Sequence, residues 1–187
     1  MSVQMPAPPK AATAVLASGI AHWSPVPPVA QLSYEPAVPV FVVDSAGPMS
    51  IGDLAHLKRA AWRFVIKSRG VPYATGDVAD SDGTFRLSMV TAGSAATTAI
   101  DQVHRAVQEV QNKVPQDSFE LRLFEAPAFH VRAVWFHGET DLFSILQWDD
   151  QQKSIPLITA DDFLNSLNRI QSSKIDAAKR VDYHQEG

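Results

Sequence analysis

His137-Gly138-Glu139-Thr140-Asp141 places one imidazole and two carboxylates within five residues. Those are donor types that a metal ion needs converging on one point. The stretch also reads as a tight hairpin, because Gly138 at the first central position of His137-Gly138-Glu139-Thr140 suits a type II′ turn. Glu139 would then point outward at the tip, with His137 and Asp141 flanking it. A polar, solvated turn is the simpler reading, and no metal site is expected.

His130 lies seven residues before His137, so on one strand the two imidazoles have opposite parity and cannot share a face. His130 and Arg132, with Gln147 on a neighbouring strand, are polar groups that could line a small-molecule pocket, with Trp62 and Trp135 as aromatic walls. The competing reading makes His130 structural and the tryptophans plain core. Asp77, Asp80 and Asp82-Gly83 resemble a calcium loop only in composition. In the register set by Gly83, Val78 takes the first ligand position and Met89 the position of the bidentate Glu, so Asp82-Gly83 reads as turn chemistry.

Ala92-Gly93-Ser94-Ala95 joins a strand to a helix start, a geometry that can hold an anion on Gly93 and Ser94. It lacks the glycine spacing of a dinucleotide loop, the Gly-Lys-Ser/Thr of a P-loop and the Gly-x-Ser-x-Gly of a nucleophile elbow. An ordinary N-cap explains it as well. The acidic pairs Asp149-Asp150 and Asp161-Asp162 suggest paired carboxylates for acid/base work. A strand end and a helix first turn, where carboxylates favour the dipole, account for them without chemistry.

Composition narrows the classes. A chain of 187 residues suits one domain able to bury a core without staples. With no cysteine, disulfide, thiolate and zinc–sulfur chemistry are excluded. Acidic residues outnumber basic ones 20 to 16, a net charge of −4 that argues against a nucleic-acid partner. No apolar run approaches the roughly 18 residues that cross a bilayer, so no membrane partner is expected either. Pro6, Pro8 and Pro9, then Thr13, Ser18 and Gly19, dilute the N-terminal apolar stretch that an export signal requires, and a cytoplasmic location is expected.

The positioning elements follow from periodicity. Residues 1–36 carry Pro6, Pro8, Pro9, Pro25, Pro27, Pro28 and Pro36, and read as an extended arm or tail, in part disordered, rather than a regular helix. Residues 37–187 read as one α+β domain. Val38–Val43 is a central strand, apolar on both faces. Ser50 and Asp53 form a capping box for a helix spanning Ser50–Arg69, with Ile51, Leu54, Leu57, Ala61 and Val65 at helical spacing and Gly70 as its left-handed stop. Val71–Ala79, interrupted by Pro72 and Gly76, reads as an edge strand turning through Asp82-Gly83 into Phe85, Leu87 and Met89.

A second helix after Gly93 buries Ala96, Ile100, Val103, Val107 and Val110, and Pro115 stops it. Phe119–Glu125, Ala128–His137 and Asp141–Trp148 form an antiparallel meander. Its turn sets Trp135 against Leu142, Val131 against Leu146 and Phe129 against Trp148. Thr159 and Asp162 cap a last helix with the stripe Phe163, Leu164, Leu167 and Ile170, continuing towards Ile175, Ala178 and Val181 past a break at Ser172-Ser173.

This order matches a ferredoxin-like βαββαβ followed by a ββα extension, two or three helices on a mostly antiparallel sheet. No catalytic constellation and no cofactor motif are legible. The expected function is therefore a non-enzymatic binding or self-assembling protein, a homo-oligomer formed through the outer meander edge or faces. The alternative is a small-molecule-binding protein or enzyme with a pocket between helix and sheet near His130 and Arg132.

Overall fold

Trp62, Phe64 and Ile66 alternate with Arg63, Val65 and Lys67, the period of a strand rather than a helix. In the computed structural model, which describes residues 2–23, 31–44, 47–148 and 157–183 and side chains to position 173, that alternation decides the local fold. The helix expected over Ser50–Arg69 is corrected. Helix α2 covers only Ile51–Ala55, where Asp53 Oδ2 accepts from the Ser50 N–H and Oγ, both at 2.7 Å. Strand β4 then runs Arg59–Ser68, burying Trp62, Phe64 and Ile66 on one face. Gly70 is no helix stop. Arg69 (φ 50°) and Gly70 (φ 80°) make a two-residue turn into β5, Val71–Ser81, with Ser68 opposite Val71. Positive φ at both central residues is the type I′ geometry. Asp82 and Gly83 repeat it between β5 and β6, Thr84–Ala92, as expected.

The ferredoxin-like expectation has a long helix carry the chain from β3, Val38–Val42, to the strand beginning at Val71. The five residues of α2 do not carry it over the sheet, and the unexpected strand β4 follows as an antiparallel neighbour of β3. The remaining strands are β1 (Ser2–Gln4), β2 (Leu32–Tyr34), β7 (Ser118–Ala126), β8 (Val131–His137), β9 (Leu142–Gln147) and β10 (Ile158–Thr159). Together they form one ten-stranded mixed sheet in the order β10-β9-β8-β7-β3-β4-β5-β6, with β1 on β7 and β2 on β4. Among the described residues, only β3–β7 and β1–β7 pair in parallel. β5 is interior, not an edge, and β6 bounds the sheet there.

Both faces are apolar, and three helices cover them. Helix α3, Ser94–Lys113, packs Ala106 and Val110 over Val38, Val40, Leu121, Leu123, Val134 and Phe136. On the opposite face α4, Ala160–Tyr183, sets Phe163, Leu164 and Leu167 against Phe124, Trp135, Phe143 and Ile145. Its Thr159–Asp162 cap is as expected, with Asp162 N–H donating to Thr159 Oγ1 at 3.3 Å. Its backbone runs through Ser172-Ser173 without a break, and the side chains of Ile175, Ala178 and Val181 lie outside the described residues.

Beside α4 on that face lies helix α1, Lys10–Ile20, within the segment expected as a proline-rich arm. Pro9 is its N-cap, a place where proline loses nothing, and no proline falls inside it. Pro25, Pro27 and Pro28 lie outside the described residues. Ala12, Leu16 and Ile20 are core, at 1% exposure or less, on Phe64, Ile66, Ala74 and Val78. Gly76 permits this approach: a Cβ there would stand 2.7 Å from Leu16 Cδ1. What reads as a weakness of β5 is the seat of α1.

The meander forms, with its register shifted by one. Trp135 faces Phe143, Phe136 faces Leu142 and Ala133 faces Ile145. A one-residue shift exchanges faces, so Trp135 joins the α4 core, and stacked Phe143 (5.8 Å, 10°) goes with it. Phe129 is not in the strand but in the 3-10 turn Pro127–Phe129, and β8 begins at Val131 rather than Ala128.

Leu16→Ala is expected to destabilise the protein by about 2–5 kcal/mol, the range for emptying a fully buried leucine site. Urea denaturation checks it; a loss within about 0.5 kcal/mol, typical of a surface position, would mean that α1 is not core.

Candidate functional site

Strand β4 carries one charged residue among those that face α3 between Ala61 and Val65. Arg63 lies opposite Asp77 on β5 and donates to it twice, Nε to Oδ1 at 2.7 Å and Nη2 to Oδ2 at 2.6 Å. Its Nη1 reaches diagonally across β3 to Glu125 Oε1 on β7, at 2.8 Å. Burial alone pulls the Arg63 pKa down. The hydrogen bonds and charges of Asp77, then of Glu125, more than reverse this and hold the guanidinium charged. Asp77 is 7% exposed. Bidentate pairing of this kind is the geometry in which buried charges are best compensated.

The row continues. Glu125 is opposite Arg132 on β8, and Arg132 Nε donates to Gln147 Oε1 on β9 at 2.8 Å. Asp77, Arg63, Glu125, Arg132 and Gln147 thus come from five strands on the α3 face, a line of alternating charges ending in a neutral amide, in a layer otherwise mainly apolar.

Above this line the helix stands off the sheet and leaves a cavity of about 420 Å³. Its helix wall is Ile100, Val103 and Val107, with Gln102, His104 and Gln111; Val38, Val65, Leu121, Leu123 and Leu146 line it from the sheet. Exposed Met5 and His104 mark its rim, with Glu35, which is ion-paired to Lys67. The volume lies within the ordinary range of small-molecule sites, about 300–1,000 Å³.

Of the expected pocket residues, the structure brings only Arg132 to this cavity. Trp62 is on the other face, in the core under α1 with the Arg59 guanidinium 4.5 Å from its ring centre. Trp135 is in the core under α4, with Arg122 4.7 Å above it. His130 is exposed in the left-handed conformation (φ 55°) that ends the 3-10 turn, before the strand starts, so strand parity does not govern it. The four residues are not one site.

Gly93 rather than Ser94 caps α3, in a positive-φ conformation (φ 73°), and both residues are exposed. Thr97 Oγ1 turns back to Ser94 O at 3.1 Å. At the β8–β9 turn His137 Nδ1 and Asp141 Oδ1 lie 2.8 Å apart, and Gly138 N–H donates to the same oxygen at 3.3 Å. Those contacts close the turn, and Glu139 is exposed. Among the described residues no three His, Asp or Glu side chains are arranged to hold a metal ion. Asp149-Asp150 lies outside the described residues.

Arg63, Asp77 and Glu125 are the site residues that sequence reasoning missed. Their signal was the alternation of 59–68: a strand there, turned at Arg69-Gly70, sets Arg63 on a ladder with Asp77. Compared with family models, with curated proteins and with solved structures, the chain matches none.

Arg63→Met leaves the buried Asp77 and the half-buried Glu125 without their shared cation. It is expected to destabilise the fold by about 3–5 kcal/mol, the penalty for removing one partner of a buried pair. Chemical denaturation of the Arg63→Met and Arg63→Met/Asp77→Leu proteins checks this. The double variant should recover part of the loss, and equal stability of both with wild type would contradict the row.

Proposed function

We propose that this chain is a binding protein whose ligand is a small molecule seated between α3 and the sheet. The observation that carries the reading is a concave, mainly aliphatic cavity of about 420 Å³ with the charged side chains of Arg63, Glu125 and Arg132 on its floor. Apolar walls supply affinity by burial, and a few fixed polar groups orient what is bound.

Nile red, a neutral apolar dye, is expected to brighten with the wild-type protein. Val103→Trp and Val107→Trp, which fill the cavity from the helix side, should abolish the brightening while leaving the circular dichroism spectrum intact. Brightening that persists in both folded variants puts the dye elsewhere and defeats the reading.

Self-assembly is the second reading, and the edge strand β6 favours it. The outer meander edge expected to pair is occupied by β10, whereas β6 pairs only β5 among the described residues and leaves Met89 50% exposed. Ser88 is bulged out between the pairs Asp77–Met89 and Val78–Leu87, which confines any second copy to the residues on either side. Light scattering coupled to size exclusion should then show a dimer that Met89→Lys dissociates; a monomer over a wide concentration range rejects this reading.

A further inference from the structure

Resting on that reading of the cavity, we infer that its ligand is an organic monoanion: a carboxylate on a hydrocarbon body, the carboxylate held by Arg132. Of the charged row, Arg63, Glu125 and Arg132 line the cavity. Arg63 is ion-paired to Asp77 and Glu125, and the lining Glu35 to Lys67. Arg132 is the lining cation that no ion pair engages among the described residues.

The two guanidiniums are not equivalent. Arg63 directs Nε, Nη1 and Nη2 to Asp77 and Glu125, so its fork is occupied. Arg132 uses only Nε, on the neutral amide oxygen of Gln147. Its Nη1 and Nη2 groups meet no acceptor among the described residues, and neither Arg132 nor Gln147 has any further bond within the fold. A guanidinium stays charged at any working pH and presents donors in a plane that a carboxylate matches with two oxygens. Arg132 is half-buried at the cavity wall, so these two donors are open to a ligand carboxylate, which can accept from both. The aliphatic walls, Val103, Val107 and Leu146 among them, then take the hydrocarbon part.

Dodecanoate and dodecanol share a body and differ in the head group, so they separate the anion from the cavity. Displacement of Nile red from the full chain is measured with each, below the concentration at which either aggregates. Dodecanoate should displace the dye at about tenfold to a hundredfold lower concentration than dodecanol, the range expected for a hydrogen-bonded charge. Arg132→Gln should remove that preference and leave dodecanol unchanged. Gln147→Glu should do the same without touching Arg132, by supplying a carboxylate from within the chain, and it guards against a fold lost with the arginine. If the two compounds displace the dye equally, or both variants keep the preference, the anion assignment is wrong while the cavity reading stands. If neither displaces a dye that Val103→Trp abolishes, the anion assignment also falls. If no dye binds at all, the cavity reading fails with it.

Discussion

A guanidinium placed in an aliphatic layer decides how closely α3 can approach its sheet. Arg63 is held on three sides by two carboxylates, and those charges cannot be covered by valine and isoleucine without loss of their remaining hydration. The helix accordingly closes where the sheet is apolar, with Ala106 and Val110 clustered with Val40, Phe119, Val134 and Phe136. It stands away where the row of charges runs. The cavity is the consequence: packed contact and charged floor adjoin on one face, and the helix spans both.

The same row spans the junction between two parts of the sheet. β4, β5 and β6 form one antiparallel run and β7, β8 and β9 another, and among the described residues the two meet through β3, antiparallel to β4 and parallel to β7. On the face away from α3 the covering is split, α1 over the first run and α4 over the second. The Arg63–Glu125 contact crosses the junction on the other face and fixes one run against the other with directional bonds. Hydrophobic packing alone supplies no such register, because it is indifferent to small slides.

How much of this was legible depended on which signal stood alone. Capping boxes at Ser50 and Thr159, the Asp82-Gly83 turn, helix α3 and the three meander strands each have one chemical cause, and each was read from the residues. Between Ser50 and Arg69 two periods overlap. Ile51, Leu54, Leu57, Ala61 and Val65 fit a helix, yet Trp62, Phe64 and Ile66 fit a strand, and the large aromatics have more area to bury. Gly70 deepened the error, since left-handed glycine ends helices and also closes type I′ hairpins. The Pro-rich N-terminus misled in the opposite way: prolines bracket α1 without entering it.

The candidate site was legible in one residue of four for a related reason. Pairing residues by strand parity requires the turn to be known to within one residue, and the His137–Asp141 contact closes a turn one residue longer than the two-residue loop assumed. That single step carries Trp135 into the α4 core and leaves Arg132 facing α3, in a strand whose other α3-facing residues are Val134 and Phe136. A charged residue there has no packing role that an aliphatic one would not fill better, and its partner Gln147 neutralises none of its charge. Packing on β8 therefore does not account for Arg132, whose Nη groups stay unengaged at the cavity wall, and the proposed ligand carboxylate is what would engage them.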